Sequence, residues 1–479
     1  MSSLQSDDLP PPIRRKRLQG DCWNDPARFA REYVIWGEDN GLTPYQEEIL
    51  SSLVRRKRVC IRAPHGTGKS SLMAIAIIWF ACTRNGVTDW KIPTTASVWR
   101  QLNKFLWPEV HKWARRLDFE AMGIERWGKE QLMGTSLRLS TGEAFALASS
   151  NSELIEGAHA SQILYIFDES KAIPNDTWSS AEGAMSTGVG AYWLSASTPG
   201  DTSGVFYDIH QRKVGYEDWL VRHITLSEAI DAGRISGEWA EQRARQWGRN
   251  SALYLNRVLG EFASDDASST IPLSWVEAAN DRWYSMEEHF GRSAWTSLGV
   301  DVARFGGDST VISFCYGDLG VGRQEPLPKG DSTEIASRVI SELYSNPGGK
   351  ATIDVIGIGA GVYDIVRAVF PDRVYAFNGA TSTPERDISG EWTFPNTRCA
   401  AWWKMRERLD PSISPIICLP PEESLTADLV APTYRYIGKD IRIEVKEEVA
   451  KRIGRSTDFA DSAIISMWSQ SSGGGMESR

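Results

Sequence analysis

Val59-Cys-Ile-Arg-Ala-Pro-His-Gly-Thr-Gly-Lys69-Ser70 joins a short apolar run to a loop of small residues, and Lys-Ser then opens the helical stretch Ser71–Phe80. Strand, small-residue loop and helix in that order make a phosphate-binding loop. Gly66 and Gly68, with Thr67 between them, let backbone N–H groups close on phosphate oxygens, and the helix start adds the positive end of its dipole. Lys69 is placed to reach the β- and γ-phosphates of ATP, and Ser70 to bind Mg²⁺. Ala63 stands where the usual pattern has its first glycine.

Ile163-Leu-Tyr-Ile-Phe-Asp168-Glu169 supplies the acids such a loop needs. An apolar strand ends in two carboxylates. Asp168 is expected to hold Mg²⁺ through water, and Glu169 to orient or deprotonate the attacking water. Leu194-Ser-Ala-Ser197-Thr198-Pro-Gly200 ends another apolar run, where hydroxyl groups of translocating ATPases sense the γ-phosphate; a strand-to-loop turn capped by Ser and Thr reads equally well. Upstream, Thr43-Pro44-Tyr45-Gln46 reads as a helix start with Thr43 as cap and Pro44 in the first turn. Gln46 can also read an adenine edge with both ends of its amide.

A second acidic set lies in the C-terminal half. Gly299-Val-Asp301-Val-Ala-Arg-Phe-Gly-Gly-Asp308 puts a carboxylate inside a strand and a glycine turn after it. An unpaired carboxylate in an apolar strand is costly, which makes Asp301 informative. Asp354 sits in the strand Ala351–Ile356, before the loop Gly357–Gly361. In Arg455-Ser-Thr-Asp458-Phe-Ala-Asp461 the i,i+3 spacing sets two acids on one helix face, although Asp at a helix start is also a routine cap. Acids on separate elements can converge on a Mg²⁺ pair roughly 4 Å apart for in-line attack on a phosphodiester.

Around these motifs the chain reads as α/β twice over. Apolar runs Val59–Ile61, Phe145–Ala148, Ile163–Phe167, Tyr192–Ala196 and Leu220–Ile224 alternate with amphipathic segments, the rhythm of a largely parallel sheet. A second rhythm begins near Trp295, with strands Leu298–Val302, Val311–Tyr316 and Ala351–Ile356, a hairpin about Gly438-Lys-Asp440 and a last helix from Asp458. The expected division is an N-terminal arm over 1–40, with a basic knot at Arg14, Arg15, Lys16 and Arg17, and a P-loop ATPase core of the ASCE or RecA-like kind over 41–225. A helical lid over 226–263, a linker over 264–290, an RNase H-like nuclease domain over 291–470 and a Gly/Ser-rich disordered tail over 471–479 follow.

Composition narrows the class. A net charge of -9 excludes a uniformly basic nucleic-acid coat and leaves room for local basic patches. The six cysteines form no C-x-x-C pair, which argues against a zinc finger or a disulfide framework and fits a reducing cytosol. No run of about 18 apolar residues is present and the N-terminus has no apolar signal core, so a cytoplasmic protein without a membrane span is expected.

Taken together these motifs resemble the large subunit of tailed-phage terminases, over about residues 43 to 469. The runs that carry the resemblance are Arg62–Ser70, Phe167-Asp-Glu169, Ser197-Thr-Pro199, Gly299–Asp308 and Lys451–Asp461. The resemblance implies that Gln46 touches adenine, that Arg62 reaches the nucleotide in cis, and that Ser197 and Thr198 couple hydrolysis to movement. It implies a metal-binding triad of Asp301, Asp354 and Asp458, with Asp308 and Asp461 as auxiliaries, taking Mg²⁺ or Mn²⁺. It further implies double-stranded DNA as substrate, a ring, typically a pentamer, on the portal protein of a procapsid, and a small terminase subunit that delivers the DNA. Its setting is the host cytoplasm and, transiently, the portal vertex. One departure is the segment Leu154-Ile-Glu-Gly157, where several relatives carry an arginine finger and Glu156 stands here; Arg100, Arg138 and Arg212 are the alternatives. A helicase-like repair nuclease is the competing function, and it needs a second RecA-like domain after about residue 226. A scaffold with degenerate sites is disfavoured by Lys69, Asp168, Glu169 and Asp301.

Overall fold

The computed structural model describes residues 10–37, 41–149, 155, 158–185, 190–200, 202–263, 269–303, 309–413 and 417–471. They fall into two compact units. One comprises Met1–Glu241 and Leu255–Ser264, the other Gln242–Tyr254 and Asp265–Arg479. Asp308, most of Leu154–Gly157 and the tail from 472 lie outside the described residues.

The first unit is built on an eight-stranded sheet. Its strands are β1 (Arg58–Arg62), β2 (Trp90–Ala96), β3 (Leu132–Met133), β4 (Ser136–Leu139), β5 (Gly142–Ala148), β6 (Gln162–Asp168), β7 (Gly190–Ser197) and β8 (Leu220–His223). Their spatial order is β3-β4-β5-β2-β6-β7-β1-β8. From β5 to β8 every pairing is parallel, and β3 and β4 add an antiparallel edge. The strand that leads into the phosphate loop, β1, is therefore separated from the acid-bearing β6 by β7. That intervening strand is the mark of the ASCE arrangement, and here it ends in Ser197. Register sets Ala196 opposite Asp168 and Ser197 opposite Arg62, so the motif residues share one edge of the sheet. In open α/β sheets that carboxyl edge is where ligands bind.

Helix α1 (Pro11–Asp21), α2 (Pro26–Tyr33), α3 (Pro44–Arg56) and α4 (Lys69–Arg84) complete the N-terminal part. From Leu72 to Arg84 every residue of α4 is buried, as expected of a helix apolar on all sides and covered all round. Over residues 10–37 this differs from the expected arm. Leu18, Cys22, Phe29 and Ala30 of α1, α2 and the turn between them are buried in the same core as α4, and the Trp79 indole donates to the Cys22 carbonyl at 2.7 Å. The basic knot is part of this packing, with Arg14 donating to the Glu120 carbonyl and Arg15 to that of Asn85. A single buried leucine in α1 is too faint a period to be read from the sequence.

The second sheet has five strands: β9 (Ser297–Asp301), β10 (Val311–Cys315), β11 (Val321–Pro326), β12 (Lys350–Asp354) and β13 (Val374–Phe377). Their order is β11-β10-β9-β12-β13, with β9 to β11 antiparallel and β12 and β13 parallel to β9. An antiparallel meander followed by two parallel strands is the RNase H-like sheet. Around it lie α5 (Leu273–Arg292), α6 (Ser332–Ser345), α7 (Gly359–Val369), α8 (Thr397–Leu409), α9 (Glu423–Val430), α10 (Lys446–Ile453) and α11 (Asp458–Ser471), with a hairpin of β14 (Tyr434–Ile437) and β15 (Asp440–Ile443) before α10.

Two expected boundaries move. From Leu273 onward the expected linker is the 20-residue helix α5, whose Val276 and Ala279 are buried with Trp402 and Leu425. The expected lid divides, since residues 242–254 fall with the second unit and 255–264 with the first.

One close approach organises the second unit. α11 crosses β9 on a face of small residues. A Cβ on Gly299 would lie 2.1 Å from the Ser462 carbonyl oxygen and 2.2 Å from the Ser466 nitrogen. Ser297 donates to the Ser466 carbonyl at 2.5 Å, and the Ser313 and Ser462 hydroxyls meet at 2.7 Å. Backbone atoms cannot yield as a flexible side-chain tip does. Gly299→Ala should therefore destabilise the second unit by about 1–3 kcal/mol or more. Thermal melting of the full chain is the check, and an unchanged transition would mean that α11 does not rest on β9 at this point.

Candidate active sites

The nucleotide cradle is built by the loop between β1 and α4. Gly66 and Gly68 both have φ of +79°, a left-handed conformation that glycine adopts without strain. Lys69 Nζ donates back to the Pro64 carbonyl at 3.0 Å, and the Thr67 hydroxyl to the same oxygen at 3.3 Å. Two consecutive side chains of α3 brace the loop, with the Tyr45 hydroxyl on the Thr67 carbonyl at 2.9 Å and Gln46 Nε2 on that of Gly68 at 3.2 Å. Gln46 Oε1 accepts from Thr43 N in a capping box. Gln46 is 2% exposed, so both ends of the amide expected to read adenine are engaged inside the fold. Tyr45 had no signal of its own in the sequence.

Arg62 is likewise engaged within the fold. Its Nη1 pairs with Glu261 Oε2 at 2.6 Å and its guanidinium lies over Phe262. Of the finger alternatives, Arg138 pairs with Glu143 across β4 and β5, and Arg212 holds a left-handed backbone with φ of 51°.

The acids sit where the sequence set them. Asp168 ends β6 and is 1% exposed. Its Oδ1 accepts from Glu169 N at 3.0 Å, while Oδ2 is buried without a hydrogen bond. Burial, with Glu169 alongside, lifts the Asp168 carboxyl to about 7 against the pull of Lys69. Glu169 has a φ of 44°, a strained value for a non-glycine residue, and its carboxylate accepts from the Ser197 hydroxyl at 3.0 Å. The Ser197 carbonyl in turn accepts from Ala63 N at 3.2 Å. β7 thus links the acid to the head of the loop. Thr198 follows, buried at the same edge. An orphaned carboxylate oxygen at the edge that carries the phosphate loop fits a hydrated divalent cation, which would occupy that lone pair.

The second site is a cavity of about 450 Å³ lined by Asp301, Asp354, Asp458 and Asp461, among others. Asp301 ends β9, Asp354 ends β12, and Asp458 and Asp461 share the first turn of α11. Asp458 does not cap its own helix. That task falls to Asp428 of α9, whose Oδ2 accepts from Phe459 N at 3.0 Å and Ala460 N at 3.4 Å while Arg455 pairs with its other oxygen. Asp458 Oδ2 instead accepts from Ser309 N at 2.9 Å. Asp461 is held by the Trp402 indole at 3.0 Å and the Thr457 hydroxyl at 2.8 Å.

The sequence reading missed the residue at the centre. Lys446 Nζ lies 3.0 Å from Asp301, 3.4 Å from Asp458 and 2.8 Å from Asp461. Among the described residues no group of three or more Asp, Glu, His or Cys is spaced to hold a metal ion as the structure stands; the expected ligands are gathered on this ammonium instead. Burial pushes Asp301 well above the usual carboxylate range, and Asp461, Asp458 and Asp354 add to that against Lys446. Burial also raises Asp354. Burial opposes charge on Lys446, but the acids around it outweigh burial and raise its pKa. The lining carries the carboxylates of Asp301, Asp354, Asp458, Asp461 and Glu447 against two cations, Lys446 and Arg398. The donor set is all oxygen, which suits a hard divalent cation, and such an ion would supply the positive charge the cavity lacks.

Lys446→Met removes the ammonium and leaves the acids facing one another. Breaking a buried pair costs about 3–5 kcal/mol. The Lys446 side chain is 31% exposed, and solvent screening should reduce that to roughly 1–2 kcal/mol. The loss should be larger at pH 8 than at pH 5, where Asp301 and Asp354 can take up protons. Melting the variant at both values is the check, and an equal loss would mean that Lys446 does not offset the acids.

No protein-family model matches the chain. A relative described as a probable terminase large subunit, from Enterobacteria phage P7, is 29% identical over 353 residues, which cover 67% of this chain and 67% of that protein. Among solved structures, the large terminase of a thermophilic bacteriophage in complex with ADP is 11% identical, covering 88% of this chain and 98% of that one at a TM-score of 0.40. The nuclease domain of the large terminase subunit of bacterial virus Sf6 is 20% identical, covering 42% of this chain and 98% of that one at a TM-score of 0.34. At these scores the structural likeness adds no weight, and the fold rests on the strand orders given above. In its two sites, in their order along the chain and over two thirds of its length, the protein resembles the large subunit of a tailed-phage terminase.

Proposed function

We propose that the chain is a terminase large subunit: an ATPase that drives double-stranded viral DNA into a procapsid and a metal-dependent endonuclease that cuts the DNA concatemer. The observation that carries this reading is the pairing, on one chain, of a phosphate loop on an ASCE sheet with a carboxylate cavity on an RNase H-like sheet. Each is suited to one phosphoryl transfer, the first on a nucleotide and the second on a phosphodiester. A helicase-like repair nuclease has less support, because among the described residues the span between β8 and β9 holds helices and no strand of a second RecA-like sheet.

In the motor, Lys69 would leave the Pro64 carbonyl for the β- and γ-phosphates, and Ser70 and Asp168 would hold Mg²⁺. Glu169 orients the attacking water and accepts its proton. Ser197, bonded to Glu169 and, through its carbonyl, to the loop, carries the change of state along β7. Gln46 reaches adenine by giving up Gly68. Arg62 enters by giving up Glu261. In the nuclease, Asp301, Asp354 and Asp458 would hold Mg²⁺ or Mn²⁺, with Asp461 and Asp308 in support. When bound, the metal would stabilise the attacking and leaving oxygens of the phosphodiester. Lys446 would give up part of its contact with these acids to such a cation.

The implied partners are the portal protein, a small terminase subunit and further copies of this chain in a ring, probed by whether ATPase activity rises with concentration or on portal. The setting is the host cytoplasm and the portal vertex. No helix among the described residues is long and apolar enough to cross a membrane.

Two substitutions test the division of labour. Glu169→Gln should lower ATP turnover by about 10²–10⁴-fold, the usual share of a general base, with nucleotide binding and DNA nicking retained. Asp301→Asn should abolish plasmid nicking with Mg²⁺ or Mn²⁺ and leave ATP hydrolysis intact. Loss of both activities in either folded variant would sink the two-site reading.

The metal dependence has a signature in pH. Folding raises the pKa of Asp168 to about 7, so its contribution to the metal-free fold is full below about 4 and lost as pH rises through about 7. Asp301 has the same sign. Divalent cations bind the ionised forms and compete with protons. Mn²⁺ should therefore raise the melting temperature more at pH 8 than at pH 5.5, and Asp301→Asn should diminish the gain. Equal gains at the two values would refute carboxylate binding.

A further inference from the structure

Arg398 lies in the first turn of α8 and lines the cavity that holds Asp301, Asp354, Asp458 and Asp461. Its Nη1 is anchored on the Glu444 carbonyl at 2.8 Å. Its guanidinium stands over the ring of Trp402 at 5.5 Å, and Trp402 in turn holds Asp461. Nε and Nη2 are buried and make no hydrogen bond. Those two donors share one edge of the guanidinium plane, the edge that matches two oxygens of a phosphate side by side.

A structural arginine buried to this degree normally has its donors satisfied, and an unmatched pair needs a reason. Charge supplies one. Among the described residues lining the cavity the cations are Arg398 and Lys446, and Lys446 is engaged by three carboxylates. A phosphodiester brings a further negative charge into a cavity already rich in it. Metal ions can neutralise carboxylates, but a donor fork is what fixes the orientation of the phosphate.

We propose that Arg398 is the phosphate-gripping residue of the nuclease, its Nε–Nη2 edge donating to the two non-bridging oxygens of the DNA phosphodiester presented to the carboxylates. The proposal rests on the nuclease reading above. Binding turns that edge to the phosphate while Nη1 keeps its hold on Glu444, so the hairpin that leads into Lys446 and the bound strand share one anchor.

The test uses the full chain with supercoiled plasmid and Mn²⁺. Arg398→Gln should lower kcat/KM for nicking by about 10²-fold, the usual effect of removing an oxyanion donor. Arg398→Lys, which keeps the charge and loses the fork, should recover part of that loss. The rise in melting temperature on adding Mn²⁺ should be unchanged in both, because the carboxylates are intact. In an Asp301→Asn background, which removes cleavage, Arg398→Gln should reduce the slope of log affinity for plasmid DNA against log salt by about 0.9, one phosphate contact. Nicking within threefold of the parent together with an unchanged salt slope would overturn the proposal. Loss of nicking together with loss of the Mn²⁺ response would overturn it too, as the mark of a residue that merely props the cavity. Equal nicking by the parent and Asp301→Asn would instead reject the nuclease reading, and the salt slope would then still report on Arg398.

Discussion

Carboxylates cannot be crowded into a space poor in water unless something positive meets them, and both halves of this protein are arranged around that constraint. In the second unit the Lys446 ammonium lies within 3.4 Å of three acids, and Arg398 lines the same cavity. The rest of the unit serves the crowding. Gly299 lets α11 lie directly on β9, which sets Asp458 and Asp461 beside Asp301. Asp428, fully buried and raised by that burial to about 7 despite Arg455, caps α11 and so frees Asp458 from the capping task. Trp402 donates to Asp461 Oδ1, and Thr457 shares Oδ2 with Lys446.

The first unit meets the same constraint with a backbone device. Asp168 and Glu169 lie at the end of a buried strand, and Lys69 is near enough for its pKa to be lowered by burial yet raised by both acids. The strain at Glu169, with φ of 44°, aims its carboxylate at Ser197. β7 lies between the loop strand and the acid strand, so any movement of Glu169 is felt at Ala63 through one strand end. A sheet with β1 beside β6 would lack this linkage.

The motif residues at strand ends were legible in the sequence because each belongs to a local pattern: an apolar run, then a turn, then the functional side chain. The edge that carries Asp168 and Ser197 follows from those runs, as do β9, β10 and β12, whereas β2, β3, β4, β11 and β13 were not read from the sequence. What was not legible depends on tertiary reach. Lys446 is 145 positions from Asp301 and follows an ordinary hairpin, so nothing in its neighbourhood marks it. Arg62 reads as a loop-head arginine, yet Glu261, distant in sequence, holds it. Gln46 shows both of its possible readings at once, since the helix cap that the sequence suggested takes Oε1 and the phosphate loop takes Nε2. The expected arm and linker failed for a related reason. α1 buries Leu18 alone and α5 a narrow stripe, and so small a buried face reveals itself when its partner surface is known.

The two sites also differ in a way that bears on how they can be used. The nucleotide cradle is braced from several sides, by Tyr45, Gln46 and the Ser197 carbonyl, and its lysine rests on the loop's own Pro64 carbonyl. Lys69 hydrogen-bonds one neutral acceptor and also feels the charge of Asp168 and Glu169; on the proposed reading, phosphate draws it from the Pro64 carbonyl. Lys446 is held by three acids at once, and a ligand displacing it has to bring at least equal positive charge. A divalent cation does so, and DNA alone does not. The cavity is therefore self-neutralised in part, whereas the cradle presents its lysine and loop N–H groups; on the proposed reading the first awaits a cation and the second an anion.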